Sequence, residues 1–137
     1  MDEELFGVLL SVLRTGMDSH PGYADLHYYT GVALERVGEP GEAGRHLRRA
    51  LRINPKYVKA LMALSELSAR GGQATSAVEY LQRAVRAGAE WPDVHARLGD
   101  LLAECGRVEA AKGHYRRALR LNGRYRPAAK ALRSLAA

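Results

Sequence analysis

Apolar residues recur along the chain at the spacing expected of helices that are buried on one side. From Leu26 to Val37 they fall three or four residues apart, as on one face of an α-helix. Gly38 then ends this helix, because glycine readily adopts the positive φ of a helix C-terminus. Asn54 and Pro55 end a second helix, because proline cannot continue the helical hydrogen-bond ladder. The pattern predicts an all-α fold made of short helices in pairs.

The same pattern recurs with an offset of 34 residues and needs no insertion or deletion. Small residues occupy fixed places in each unit, where two helix backbones have to approach closely. The aligned sets are Gly31, Ser65 and Gly99; Gly38, Gly72 and Gly106; Ala43, Ala77 and Ala111; Ala50, Ala84 and Ala118; Leu47, Leu81 and Tyr115; and Tyr57, Trp91 and Tyr125.

A 34-residue unit of two helices with these small positions resembles the tetratricopeptide repeat over residues 24–125. The resemblance implies a right-handed α-solenoid of antiparallel helix pairs. His27, Leu61 and His95 replace the aromatic residue that is often found early in the first helix, and only Pro55 keeps the terminal proline. The resemblance predicts a single domain, 1–137, with an N-terminal half-repeat (1–23), three repeats (24–57, 58–91 and 92–125) and a C-terminal capping helix (126–137).

Charge and composition narrow the class of protein. The 17 arginines and 4 lysines outnumber 15 acidic residues and give a net charge of +6, which favours acidic partners. Arginine-rich, alanine-rich composition is typical of GC-rich bacterial genomes. The single cysteine, Cys105, rules out an internal disulfide and suggests a reducing compartment. The start, Met1 to Glu4, is acidic where a secretory signal is basic, and the apolar run Leu5–Leu13 is too short to span a bilayer, so we expect a cytoplasmic protein.

Side chains that carry chemistry form no catalytic pattern. Gly71 and Gly72 lack the lysine and hydroxyl residue of a phosphate-binding loop. Four of the five histidines recur because the repeat recurs: His27 aligns with His95, and His46 aligns with His114. No histidine or cysteine pair has the i, i+4 spacing of a helical metal site. We therefore expect a non-enzymatic protein without cofactor or metal.

The resemblance implies a concave groove, lined by the first helix of each pair, that binds a peptide. The residues carried over to this groove are Tyr28, Tyr29, Val32, Lys59, Met62, Glu66, Arg97 and Asp100, which we call the groove set. Tyrosine and methionine supply adaptable apolar area, and an arginine can anchor a carboxylate. The alternative is that some of these residues, Tyr29 above all, pack between helices.

One subgroup of the family clamps the C-terminal carboxylates of chaperones with two lysines, two asparagines and an arginine. The matching positions here are Tyr28, Val32, Ala63, Asp93 and Arg97, and only Arg97 fits. A clamp for chaperone tails is therefore disfavoured.

Arginine is concentrated on the outward side of the second helices, where eight of nine aligned positions carry it. This basic ridge comprises Arg48, Arg49, Arg52, Arg83, Arg86, Arg116, Arg117 and Arg120. It is either a solvated helix face or a docking surface for an acidic protein, nucleic acid or anionic lipid. Few aromatic residues flank it for base stacking, which makes nucleic acid the less favoured partner.

The N-terminal helix carries two apolar stripes, and one neighbouring helix pair can cover only one. Leu5, Val8, Leu9, Val12 and Leu13 form one stripe, and Phe6, Leu10 and Met17 form the other. We expect the second stripe to be exposed and to mediate self-association, as a homodimer, or contact with another chain. The alternative is a helix with scattered exposed apolar residues.

Together these features predict a non-catalytic adaptor that binds a protein or peptide in its groove. One alternative is a scaffold that acts through the basic ridge on an acidic partner or nucleic acid. Another is a small bacterial export chaperone.

Overall fold

Eight α-helices account for most of residues 3–136, the part of the chain that this computed structural model describes, and no strand occurs there. The predicted all-α structure and the number of helices are confirmed. The outermost residues of the predicted domain, 1–2 and 137, lie outside the described range. The helices are α1 (Glu3–Ser19), α2 (Ala24–Arg36), α3 (Pro40–Ile53), α4 (Val58–Arg70), α5 (Ala74–Arg86), α6 (Pro92–Glu104), α7 (Val108–Leu121) and α8 (Arg126–Ala136).

The chain divides after Leu67 into two compact units. In the first unit, α2 packs against α1 on one side and α3 on the other. In the second unit, α6 packs against α5 and α7, and α8 packs against α7. Both units are therefore built on a central helix pair, α2 with α3 and α6 with α7. The finer division into a half-repeat, three repeats and a cap stays a prediction.

Glycines with positive φ end three of the helices, as predicted. Gly38, Gly72 and Gly106 have φ of 84°, 75° and 77° and connect helices within each aligned pair. A fourth, Gly88 with φ 114°, follows α5 and was not predicted as a turn residue. An L-residue with a side chain is strained in this region, so these positions fix where each helix ends.

Small residues let the central helices of each unit meet at close range. A Cβ added to Gly31 would lie 2.7 Å from Cγ of Leu47, and one added to Gly99 would lie 2.5 Å from the Tyr115 ring. Neither distance is compatible with real packing, so only glycine permits these contacts. Ala43, on the facing helix of the first unit, has no solvent exposure, and its carbonyl oxygen would lie 3.1 Å from the same added Cβ of Gly31.

The last helix has a different residue at this small position. Arg133 aligns with Gly99 at the same offset of 34 residues and is exposed on α8. Lys130 is likewise exposed, whereas Ala128 is buried, as expected for a helix with one solvated face.

The structure reverses the predicted roles of the two stripes on α1. Leu10 is buried in a core cluster with Leu13, and Phe6 packs against that cluster. Met17 is partly buried, and its sulfur accepts a hydrogen bond from the Thr30 hydroxyl at 3.5 Å. The expectation of an exposed row at Phe6, Leu10 and Met17 is therefore wrong, because this row is the one that α2 and α3 cover.

Four large apolar side chains on the other side of α1 are exposed instead. They are Leu5, Val8, Leu9 and Val12, with exposed fractions of 55%, 62%, 40% and 64%. Their spacing of i, i+3, i+4 and i+7 places them on one face of the helix. Self-association through α1 stays a prediction, and this face is now the one that would mediate it.

We expect Val8→Glu with Val12→Glu to abolish any self-association through α1 without unfolding the chain, because both side chains are exposed. Phe6→Glu serves as the contrasting variant, since a charge placed against the core cluster should lower the free energy of unfolding. Light scattering coupled to size exclusion gives the molar mass of each variant. A wild-type chain that is monomeric at high concentration would contradict self-association.

Candidate functional site

Three tyrosine rings cluster on the first-helix side of the first unit. The Tyr28 and Tyr29 rings pack edge to face with centroids 5.1 Å apart, and the Tyr57 ring lies 5.3 Å from Tyr28 at a tilt of 32°. Tyr29 is 49% exposed, so it does not pack between helices. The predicted alternative for Tyr29 is therefore wrong, and a contiguous aromatic surface faces solvent here.

Tyr57 is held in this cluster by a carboxylate. Its hydroxyl donates a hydrogen bond to Asp25 at the start of α2. Burial, followed by this hydrogen bond, raises the pKa of Tyr57 above its ordinary value. The hydroxyl therefore stays protonated at physiological pH and remains a donor. Tyr57 was missing from the groove set, although its alignment with Trp91 and Tyr125 is the sequence signal that an aromatic side chain recurs at this place.

The other groove residues of the first unit lie at the surface. Lys59 and Glu66 on α4 are exposed, and Val32 and Met62 are partly buried. None of the four is in the core, which is compatible with their predicted place on a binding face. Whether they contact a ligand stays a prediction.

In the second unit the groove set is charged instead of aromatic. Arg97 is partly buried and Asp100 is exposed on α6. Asp100 accepts a hydrogen bond of 2.6 Å from the hydroxyl of Tyr115, the residue whose ring faces Gly99. Burial and then this hydrogen bond raise the pKa of Tyr115. Asp100 therefore helps to position a buried core residue as well as presenting a carboxylate at the surface.

The positive charge of the chain is concentrated on one set of helices. The first helices of the pairs, α2, α4 and α6, carry six carboxylates and four cationic side chains. The second helices, α3, α5 and α7, carry three carboxylates and ten cationic side chains. Each unit thus has a strongly basic second-helix face.

The basic ridge is most complete on α3. Arg45, Arg48, Arg49 and Arg52 are all exposed there, at i, i+3, i+4 and i+7, and three of them line a shallow depression. Arg45 forms an ion pair of 3.4 Å with Glu42. Within the described residues the other three form no ion pair, so their guanidinium groups are available to an external anion.

On α5 and α7 the ridge is less uniform than predicted. Arg86, Arg116 and Arg120 are exposed, but Arg83 and Arg117 are partly buried. The Nε of Arg117 donates to Oε2 of Glu90 at 3.3 Å, an ion pair within the unit. Arg83 and Arg117 are thus less exposed than the other six, and the role of the ridge as a docking surface stays a prediction.

Each unit contains two histidines joined by a hydrogen bond, a pairing that was not predicted from the sequence. The Nδ1 atoms of His27 and His46 lie 3.2 Å apart, and those of His95 and His114 lie 3.0 Å apart. The signal was present in the alignment, because each pair has the same separation of 19 residues. These pairs join α2 to α3 and α6 to α7, so they bridge the central helices of each unit.

No helix within residues 3–136 combines the length and the apolarity needed to cross a membrane. Within the same range, no three or more histidine, cysteine, aspartate or glutamate side chains converge in a way that would hold a metal ion.

Helix pairs that repeat at a fixed offset, with glycine turns and glycine contacts at aligned positions, define a helical-repeat protein of the solenoid class. Family models of the tetratricopeptide repeat match residues 34–96 and 92–125. The chain belongs to the tetratricopeptide repeat family, whose members are scaffolds for protein or peptide partners. The predicted family and fold class are confirmed.

Solved structures with the same fold include MamA and YrrB. MamA has a TM-score of 0.81 and 17% identity, over 90% of this chain and 72% of that chain. YrrB, described as a TPR protein with an unusual peptide-binding site, has a TM-score of 0.75 and 21% identity, over 85% of this chain and 60% of its own. At these identities the likeness shows the fold. The sequence matches no curated protein.

Proposed function

We propose that the chain is a non-catalytic, cytoplasmic adaptor that binds a peptide segment of another protein on the faces of its first helices. The observation that carries this proposal is the aromatic cluster of Tyr28, Tyr29 and Tyr57, with Tyr29 half exposed. Tyrosine offers a large, stiff contact area with little conformational entropy to lose, which is why it is common where proteins bind peptides.

The chemistry of the two units suggests what such a segment contains. The first unit offers aromatic rings, and the second offers the guanidinium of Arg97 at the position that aligns with Tyr29. Aromatic rings bind apolar or proline-containing segments, and a guanidinium binds a carboxylate. The surface of the first unit therefore suits an apolar segment, and that of the second unit suits an acidic one. The peptide-binding site named for YrrB, a protein of the same fold, adds support by analogy.

Truncating three groove residues, Tyr29→Ala, Met62→Ala and Arg97→Ala, should weaken a peptide ligand by at least about tenfold, since central contacts dominate binding energy. Ligands are selected from a random displayed peptide library on the wild-type chain, and affinities are measured by fluorescence anisotropy. The matched control is Arg49→Ala, Arg86→Ala and Arg120→Ala, three exposed residues of the basic ridge. Equal affinities of the groove variant and wild type would contradict the proposal.

A second candidate function is docking of an acidic protein on the basic ridge. The observation in its favour is the row of exposed arginines on α3, of which Arg48, Arg49 and Arg52 have no ion pair among the described residues. Arginine forms bidentate hydrogen bonds with carboxylates and phosphates, and α3 presents no aromatic side chain besides its single histidine for base stacking. An acidic protein segment is therefore the favoured partner over nucleic acid.

Replacing Arg48, Arg52, Arg86 and Arg120 by glutamine should lower the salt concentration at which the chain elutes from heparin and flatten the salt dependence of binding, because fewer counterions are released. A control of equal charge replaces Lys56, Arg107, Arg124 and Lys130, which are exposed cations outside the second helices. Elution of both variants at the same salt concentration would show that net charge alone, and not the ridge, determines binding.

A further inference from the structure

The rings of the two histidine pairs meet edge to edge and almost in one plane. The rings of His27 and His46 are inclined by 24° with centroids 5.5 Å apart, and those of His95 and His114 by 22° with centroids 5.3 Å apart. In both pairs the distance between the ring centroids exceeds the distance between the Nδ1 atoms by twice the distance from the centre of an imidazole ring to its nitrogen. The two nitrogens therefore point at each other, as in a linear N–H···N hydrogen bond.

In each pair the contact of Nε2 of the buried ring, His27 or His95, determines which nitrogen of that ring carries the hydrogen. Nε2 of His27 is 3.1 Å from the carbonyl oxygen of Pro21, which can only accept, so Nε2 of His27 carries the hydrogen. Nε2 of His95 donates in the same way to Oε2 of Glu90 at 2.8 Å. Nδ1 of each buried ring is then a lone pair, and the partner ring, His46 or His114, donates its Nδ1–H to it.

One hydrogen atom therefore lies between the two Nδ1 atoms of each pair, and adding a further proton to the pair is unfavourable. A proton added to Nδ1 of His27 or His95 would place two N–H groups opposite each other and remove the bond. A proton added to Nε2 of His46 would leave this bond in place but create a cation close to Arg14 of α1 and Arg45 of α3, which Glu42 of α3 opposes. Burial, then His27 and these arginines, lower the pKa of His46 despite Glu42.

The second pair has related surroundings. His95 on α6 is buried, and Glu90, which accepts its Nε2–H, is also bound by Arg117 of α7. Burial and then His95 lower the pKa of His114, while Glu90 opposes this effect. The hydrogen bond from His95, followed by the one from Arg117, lowers the pKa of Glu90.

We propose that the two histidine pairs form a proton-sensitive catch, which holds α2 on α3 and α6 on α7 when the rings are neutral and weakens both contacts on mild acidification. The middle repeat has Leu61 and Tyr80 at the aligned positions, neither of which takes up a proton in this range. The catch therefore acts on the two helix pairs that carry Tyr28 and Arg97, and it would couple any ligand binding there to pH.

The direction in which pH changes the folding stability follows from the histidines that stay neutral in the folded chain. An unfolded histidine takes up a proton near pH 6.5, so the unfolded state gains stability below that pH. The catch contributes fully above pH 6.5 and is lost as the pH falls below it. A ring that took up no proton in the folded chain would raise the unfolding equilibrium constant about tenfold at pH 5.5, so the two pairs together raise it by at most about a hundredfold. Unfolded carboxylates take up protons near pH 4, below this window.

The chain itself supplies the control, because the middle repeat shows which residues can replace the histidines. Unfolding by denaturant is measured between pH 7.5 and 5.5 for the wild type and for His27→Leu, His46→Tyr, His95→Leu and His114→Tyr combined. Between pH 7.5 and 5.5 we expect the unfolding equilibrium constant of the wild type to rise by up to about a hundredfold. That of the fourfold variant should rise by no more than a few-fold. Equal pH dependence of the two proteins would overturn the proposal.

Two further measurements keep the test decisive if the fourfold variant does not fold. Each pair is replaced separately, and each double variant should lose about half of the logarithmic pH effect. In the wild type at pH 7.5, nuclear magnetic resonance should detect scalar coupling between the two Nδ1 nuclei of each pair across the hydrogen bond, and acidification should weaken this coupling. Absence of this coupling at pH 7.5 would show that no proton joins the rings.

Discussion

The close approach of two helix backbones at a glycine is the constraint on which the rest of the structure depends. At Gly31 and Gly99 no Cβ can be accommodated, because Leu47 and Tyr115 already occupy the space. Dispersion contacts at this distance and burial of the facing side chains stabilise each pair, so the pair behaves as one body. Every other feature of the unit is placed relative to it.

The surfaces follow from this pairing. Once α2 packs on α3, and α6 on α7, the groove residues of α2 and α6 and the ridge residues of α3 and α7 are left partly or fully exposed. Tyr28 and His27 are neighbours in sequence, yet one belongs to the solvent-facing aromatic cluster and the other to the buried histidine bond. Surface chemistry and proton chemistry are therefore carried by adjacent residues of the same helix.

Much of this could be predicted from the sequence, because it is local or repeated. The glycines at 38, 72 and 106 mark turns through their backbone preference, and the small positions recur in phase, so the number of helices and the ends of α2, α4 and α6 follow directly. The stripe of α1 that becomes buried could not be predicted, since both stripes are apolar and contacts with distant residues decide between them. The histidine bond was missed for the same reason: its partners lie 19 residues apart, and only tertiary packing brings them together.

The most direct test of the central claim is a double-mutant cycle at Gly99 and Tyr115. Glycine to alanine inside a helix ordinarily stabilises by about 0.5–1 kcal/mol. Here the account predicts that Gly99→Ala lowers the free energy of unfolding by about 1–3 kcal/mol, because the new methyl group overlaps the Tyr115 ring. In a Tyr115→Leu background the same change should cost much less or stabilise. A cost for Gly99→Ala that is equal in both backgrounds, or a stabilised single variant, would contradict the account.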